Sequence, residues 1–478
     1  MVERSAFSLR SAARERGAAP AIVTATSVIT FAELWQRARA VARELAATTE
    51  RSRPVAVVAP LRIETLLAIH ALVALGTPLV PIHPRLTAAE RRVVLELSGA
   101  TTILDETWAP SASSAGSLSP GVDGDREDDH LPPLADDEAP LAILFTSGSS
   151  GAPKGVELSR RAFAAAARAS AANLRWEPAD RWLLCMPLGH VGGLSVVLRC
   201  LEAQIPIVVS PWTGSVAALL ADIEALEVTL LSLVPTMLAR IFEEAPAYRF
   251  PARVRAVLLG GDAANASLLA TAAARNVPVV TTYGMTETCS QISTSTPGES
   301  PSVDAGTGRP LPGTEVRIEG GVIQVRGPTL FTRYVPAERH PSPFAEDGWF
   351  ATGDLGRIDA AGRLHVTGRR SDLVITGGEN VDPREVELAL ESCVGVSAAC
   401  VFAIPDATWG ELVGAAIVLE AGASTTVAAV SREVRTRLAR HKWPRRIAVT
   451  ASLVHNATGK LDRRATGASV REQLTDPG

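Results

Sequence analysis

Residues 144–159, "LFTSGSSGAPKGVELS", place glycines, hydroxyl side chains and one lysine directly behind an apolar run. Gly148, Gly151 and Gly155 let backbone N–H groups approach an anion closely. Thr146, Ser147, Ser149 and Ser150 add hydroxyl donors, and Lys154 adds a positive charge. Such a set suits phosphate oxygens. The nucleotide P-loop requires Gly, four residues, Gly-Lys and then Ser or Thr. Counted from Gly148, Lys154 takes the lysine slot, but Pro153 replaces the second glycine and Gly155 replaces the magnesium-holding hydroxyl. The segment, read as following a strand and preceding a helix near Arg160, is thus a phosphate loop of another kind or a Gly/Ser hairpin without a ligand.

Three further stretches carry chemistry-bearing side chains. "TTYGMTETCSQ" (281–291) leaves a buried strand and turns at Gly284, so Tyr283, Thr286 and Glu287 emerge at a strand's carboxyl end, where α/β sheets bind ligands. Glu287 is a hard oxygen ligand of the kind magnesium takes. The plain alternative is a Thr286 helix cap beside an incidental acid. "GWFATGDLGRID" (348–359) sets Asp354 in a Gly-flanked tight turn, where a carboxylate can accept two ribose hydroxyls or simply close the turn. Taken singly, His190 in "MPLGHVGGLS" reads as a structural histidine, Lys460 in "NATGKLDRR" as an exposed basic tail, and "GRRSDLVITGGENVDP" (368–383) as a domain junction.

These stretches need elements to position them. Apolar runs such as "PVAVVAP" (54–60), "LAILF" (141–145), "IPIVVSP" (205–211), "VRAVLLGG" (254–261) and "VPVVTTYG" (277–284) read as buried strands. Helical patterns at 31–47, 88–97, 162–172 and 216–226 lie between them, so the chain reads as α/β with largely parallel sheets. Residues 105–140, rich in Ser, Gly, Pro and Asp, read as a surface loop. After about Gly308 the pattern changes to period-2 alternation around Gly turns, which predicts antiparallel hairpins in a β-rich subdomain. Asp382 then reads as an N-cap, with Pro383 first in the helix and Glu385 completing a capping-box-like pair. The expected organisation is a large N-terminal domain, 1–368, and a small α+β C-terminal domain, 369–478.

Composition narrows the function classes. A length of 478 residues predicts two or three domains, and 46% apolar with 21% charged residues is globular. The net charge of −4 and the lack of a long basic block argue against a nucleic-acid partner. Five cysteines, Cys185, Cys200, Cys289, Cys393 and Cys400, form no CxxC pair, which argues against zinc and disulfides and for a reducing compartment. The most apolar stretch, 66–81, is broken by His70, Gly76 and Pro78, so no membrane span is expected. The N-terminus lacks a hydrophobic leader core and carries Glu3 and Glu15, which reads as the first helix of a cytoplasmic protein. A homodimer stays open.

Together, and in this order, the motifs resemble those of the adenylate-forming superfamily of acyl-CoA synthetases, peptide-synthetase adenylation domains and luciferases. The resemblance runs from the N-terminal helix to Lys460. It implies that Thr146 through Lys154 wrap the β- and γ-phosphates of ATP, with Thr146 also near the metal. It implies that Gly260–Gly261–Asp262 and Tyr283 bracket adenine, that Thr286 meets the α-phosphate and that Glu287 holds Mg2+. Asp354 and Arg369 would bind ribose, and Lys460 would bridge carboxylate and α-phosphate. The hinge falls at Ser371, where the family usually has Asp or Lys. The small domain would rotate between half-reactions, bringing the Gly377–Gly378 region forward for coenzyme A.

Within the superfamily, "PLGHVGGLS", "YGMTETCSQ" and "GRRSDLVITGGENVDP" resemble the o-succinylbenzoate–CoA ligase branch of menaquinone biosynthesis. That resemblance puts His190, Gly284 and Ser290 at the acyl pocket. The acid of that branch carries a second carboxylate, for which Arg199, Ser293 and Thr294 are further candidates. A ligase for another aryl or medium-chain acid, a carrier-loading adenylation enzyme, a phosphotransferase and a non-catalytic nucleotide-binding module stay open as alternatives.

Overall fold

The computed structural model describes residues 6–111, 136–147, 153–377, 379–406, 408–456 and 461–476. Gly148, Ser149, Ser150, Gly151 and Lys460 lie outside them, as do the side chains of Ser147 and Ser371 and most of the 105–140 stretch. The chain divides into two compact units, Met1–Val316 with Val325–Phe350, and Arg317–Gln324 with Ala351–Gly478.

The first unit is α/β, as the alternation of apolar runs and helical patterns predicts. Among the described residues a nine-stranded sheet holds, in adjacent order, Val279–Tyr283, Ala256–Leu259, Leu230–Leu233, Trp182–Leu184, Ile207–Val209 and Pro20–Val23. Every pairing along that run is parallel. Such strands are covered on both faces, which is why they read as unbroken apolar runs and not as alternation. Trp182, Leu183, Leu184, Val208, Leu231 and Val257 are all fully or almost fully buried. Because the strands are parallel, their carboxyl ends share one edge. The loops that carry His190, Gly260–Asp262 and Tyr283–Ser290 all leave from it.

A six-stranded sheet, order Arg333–Val335, Pro153–Ser159, Pro140–Ser147, Leu79–Ile82, Val55–Val58 and Thr102–Leu104, holds the chain on either side of residues 148–152. Here the expectation of a loop leading straight into a helix is corrected. Residues 153–159 form a strand antiparallel to 140–147, with Thr146 opposite Lys154. The physical reason is that Val156 and Leu158 alternate inward and are completely buried. Only at Ser159 does the helix Arg160–Leu174 begin, capped by the Ser159 hydroxyl, which accepts from the N–H of Ala162 at 3.2 Å.

The second unit is α+β. Its sheet runs Glu379–Val381, Val374–Thr376, Gly410–Leu419 and Val396–Asp406, with Arg446–Val449 added parallel to Gly410–Leu419. Helices Pro383–Glu391 and Val427–Arg437 close a core of Val374, Val386, Leu390, Val401, Val413, Ile417, Val434 and Ile447. Two local expectations change. Asp354 lies within the strand Phe350–Ile358, not in a tight turn, because its neighbours pair with Leu364–Arg369. Asp382 does cap its helix, its carboxylate accepting from the N–H of Arg384 at 2.9 Å. Glu385 meets Lys442 Nζ at 2.6 Å in place of completing a capping box. All five cysteines are free and buried. No helix among the described residues is long and apolar enough to cross a membrane.

Candidate active site

In the first unit the hairpin and the turn after Val279–Tyr283 meet at a carboxylate. Glu287 is 5% exposed, and its Oε1 stands 3.3 Å from Lys154 Nζ. The Tyr334 hydroxyl donates to the same oxygen at 3.1 Å, and the Lys154 ammonium sits 4.0 Å from the Tyr334 ring centroid. Burial first, then the Glu287 charge, pushes the Tyr334 hydroxyl well above its ordinary range, so it stays a donor throughout the accessible pH scale. Tyr334 is invisible to motif reading, since it reaches Glu287 from the edge strand Arg333–Val335.

Thr146 Oγ1, across the ladder from Lys154, is buried and has no hydrogen-bond partner among the described residues. Leaving such a group unmet costs about 1–3 kcal/mol, a deficit that a bound oxygen ligand would remove. Among the described residues no group of three or more His, Cys, Asp or Glu side chains could hold a metal unaided. Mg2+ draws mostly on phosphate and water oxygens with one or two protein ligands, so a buried carboxylate and an orphaned hydroxyl fit it.

The turn that carries Glu287 is held by its own backbone. Thr286–Thr288 form one 3-10 turn, Ile292 N–H donates to Tyr283 C=O at 2.8 Å, and Cys289 and Ser290 adopt φ of 54° and 94°. Thr286 and Tyr283 are half-buried at the mouth of this turn. A Cβ on Gly284 would lie 1.4 Å from the Ser290 carbonyl oxygen, so only glycine lets the chain fold back here. Gly284→Ala is therefore expected to destabilise by about 1–3 kcal/mol or more and to displace Glu287. A fall in the melting midpoint together with lost activity checks it.

Nearby, Gly260 ends Ala256–Leu259, and a Cβ there would press 2.5 Å from Thr282 Cγ2. Gly261 takes a φ of 85°, and exposed Asp262 turns back to accept from the N–H of Ala263 at 2.8 Å.

His190 caps the helix Val191–Ala203 by position, its ring centroid 5.4 Å from that of His83. His83 leaves the strand Leu79–Ile82, and burial followed by the Arg85 charge lowers its pKa. About two and a half turns along the same helix stands Arg199, 2% exposed, with Nε and Nη2 both buried and unpartnered among the described residues. Its guanidinium lies 5.7 Å from the Trp182 ring centroid. Burial pushes its pKa down to about 10, so it is still a cation at neutral pH. Ser195 Oγ, four residues earlier on that helix face, is likewise buried and unpartnered. Gln291 donates to Thr294 Oγ1 at 2.9 Å while its own Oε1 has no partner among the described residues. Ser293 shares a hydrogen bond with Thr307 at 2.7 Å.

In the second unit Asp354, 5% exposed, stands in register with Arg369, whose Nε donates to Asp354 Oδ1 at 2.9 Å. Ser371 lies in the 3-10 turn Arg370–Asp372 that follows directly.

The family model "AMP-binding enzyme" matches residues 9–335, and "AMP-binding enzyme C-terminal domain" matches 385–460. The 2-succinylbenzoate–CoA ligase of Bacillus licheniformis is 34% identical, aligned over 93% of this chain and 95% of its own length. That of Geobacillus kaustophilus is 37% identical over 91% and 92%. A solved o-succinylbenzoate CoA synthetase (MenE) of Bacillus subtilis, in complex with the acyl-adenylate intermediate OSB-AMP, superposes with a TM-score of 0.84 at 33% identity, covering 97% and 98% of the two chains. The same enzyme has been solved with ATP and magnesium ion, at a TM-score of 0.82 and 31% identity over 96% and 98%. With both of its units matched by that family's models and its length spanned by those relatives, the chain belongs to the AMP-binding enzyme family.

Proposed function

We propose that this chain is an ATP-dependent, AMP-forming ligase that joins 2-succinylbenzoate to coenzyme A. One oxygen of the acid attacks the α-phosphorus of ATP, the bond to the β-phosphate breaks and pyrophosphate leaves. The thiol of coenzyme A, losing its proton, then attacks the acyl carbon, and AMP leaves. A carboxylate oxygen is a poor leaving group, and joining it to AMP makes it a good one. No general base is needed in the first half because the nucleophile is already ionised.

The observation that carries the choice of acid is Arg199. A buried guanidinium with two unpartnered nitrogens suits an anion, and 2-succinylbenzoate brings a second carboxylate beyond the one that reacts. His190, Gly284 and Ser290 line the remainder of that acyl pocket in our reading. For the nucleotide, Thr146–Lys154 take the β- and γ-phosphates, Gly260–Asp262 and Tyr283 the adenine, Thr286 the α-phosphate, and Asp354 with Arg369 the ribose. Glu287 and Thr146 hold Mg2+, which when bound offsets the charge of the phosphates. Lys460 supplies the ammonium that draws the two anions together in the first half. Ser371 is the hinge.

The experiment is pyrophosphate release with ATP, Mg2+ and a panel of acids, with and without coenzyme A, using Lys460→Ala as control. Release with 2-succinylbenzoate, followed by thioester formation, is the expected result. A preference for benzoate, cinnamate or fatty acids would keep the ligase and overturn the acid.

A further inference from the structure

His83, which belongs to none of the motifs, leaves the strand Leu79–Ile82 of the six-stranded sheet. It meets the loop of His190, which follows the strand Trp182–Leu184 of the nine-stranded sheet. The two sheets thus touch through a pair of imidazoles, tilted by 40° with centroids 5.4 Å apart, a spacing at which aromatic rings attract. Their backbones are in contact too. A Cβ on Gly189 would lie 2.9 Å from His83 N and 3.1 Å from its Cα, so glycine alone lets the loop come this close. Within the six-stranded sheet, Leu79 pairs in parallel with Ala142, and four residues further along both chains His83 comes level with Thr146. His83 therefore stands between Thr146 on the phosphate side and His190 on the acyl side, and the roles above leave it unused.

Both residues are held at their base. His83 Nδ1 accepts from the N–H of Arg85 at 3.1 Å, so the neutral ring carries its proton on Nε2. The His83 C=O accepts from Leu86 N–H at 3.0 Å. Arg91 clamps the same turn, donating to Pro84 C=O at 2.7 Å and to Leu86 C=O at 3.0 Å. Burial, with the Arg85 charge second, lowers the His83 pKa and keeps the ring neutral at pH 7. Across the contact, His190 N–H donates to Pro187 C=O at 3.2 Å, and its C=O accepts from Gly193 and Leu194 at 3.1 Å each. Its side chain makes no cap hydrogen bond to the helix it precedes. The backbone thus fixes where the His190 ring starts, and the face of His83 limits where it points.

We propose that His83 is a positioning residue for the carboxylic acid, acting through the ring of His190. The inference rests on the reading that puts His190 in the acyl pocket. A ring that borders the acid must be presented in one orientation, and a neutral ring face does this without adding charge. Two variants separate the ring of His83 from its turn. His83→Asn keeps an acceptor for Arg85 N–H, since Asn Oδ1 lies as many bonds from the backbone as His Nδ1, but it removes the ring. His83→Phe keeps the ring face and loses the acceptor.

The test measures pyrophosphate release by the full-length protein with 2-succinylbenzoate and ATP varied in turn. His83→Asn is expected to raise the KM for the acid roughly 3- to 10-fold, the worth of one aromatic pair. The KM for ATP and kcat at saturating acid should stay within about 2-fold, and the melting midpoint should hold. His83→Phe should return the KM for the acid to within about 2-fold of wild type. In a His190→Ala background, which itself raises that KM, His83→Asn should add nothing further. A turn-forming role alone predicts the reverse order, with the Phe variant impaired and the Asn variant spared, and that result overturns the proposal. An ATP KM that rises in step with that of the acid overturns it as well. Impaired His190→Ala with unaffected His83→Asn sinks the positioning role alone. An unchanged acid KM in His190→Ala removes the acyl-pocket reading and the positioning role with it. No pyrophosphate from wild type with any acid sinks the ligase reading and everything built on it.

Discussion

Arg199→Met is expected to strip the enzyme of 2-succinylbenzoate while sparing acids that lack a second carboxylate. Removing one partner of a desolvated charge pair costs about 2–5 kcal/mol, or roughly 30- to 5,000-fold in kcat/KM. Benzoate-type acids, which never meet the guanidinium with a charge, should change by less than about 3-fold. The variant should also invert the usual sense of a core substitution. In the unliganded protein Arg199 is desolvated, with Nε and Nη2 unpartnered among the described residues, so an apolar side chain of similar length relieves a penalty. Replacing buried charge by apolar volume is commonly neutral or stabilising by about 1–4 kcal/mol. A melting midpoint that holds or rises, with selective loss of the diacid, is the expected pair of results. Equal loss for diacid and monoacid would show that Arg199 serves packing and not recognition.

The second large effect is expected at Glu287. Glu287→Gln keeps the side chain's shape and an acceptor for the Tyr334 hydroxyl but removes the charge that Lys154 faces at 3.3 Å. Loss of one preorganised electrostatic group at the reacting centre lowers kcat about 100- to 1,000-fold. If Glu287 holds the metal, the Mg2+ concentration for half-maximal pyrophosphate release must also rise. Titrating Mg2+ at saturating ATP separates the two effects. A lower kcat with an unchanged Mg2+ midpoint would assign Glu287 to Lys154 alone. Tyr334→Phe, which removes a neutral donor from the same oxygen, should have the smaller effect of the two.

The α/β architecture was legible because parallel strands buried on both faces write themselves as apolar runs, as "AVLL" and "VVTTY" do. The family was legible because the motifs kept their order, and the matches over 9–335 and 385–460 bear that resemblance out. Local geometry was harder to read where glycine and proline dominate. Pro153 and Gly155 read as loop, yet pairing with 140–147 makes their segment a strand that places Lys154 opposite Thr146. Glycines beside Asp354 read as a turn, but a partner strand ending in Arg369 overrides that preference. Tyr334 and His83 escaped altogether. Each meets its partner through sheet topology, 47 residues away from Glu287 in one case, and no local spacing encodes such a contact.

The burial of every cysteine bears on chemical self-protection. An acyl-adenylate is an electrophile that any thiolate within reach would intercept, wasting ATP and capping the protein with its own product. None of the five cysteines offers one. Burial pushes the Cys185 and Cys400 thiols up to about 12 and Cys393 to about 11, with Cys200 and Cys289 higher still. Cys289 stands only two residues from Glu287 and is fully buried. The fold thus keeps its own sulfur out of the competition and leaves the activated acyl group to a thiol that arrives from solution.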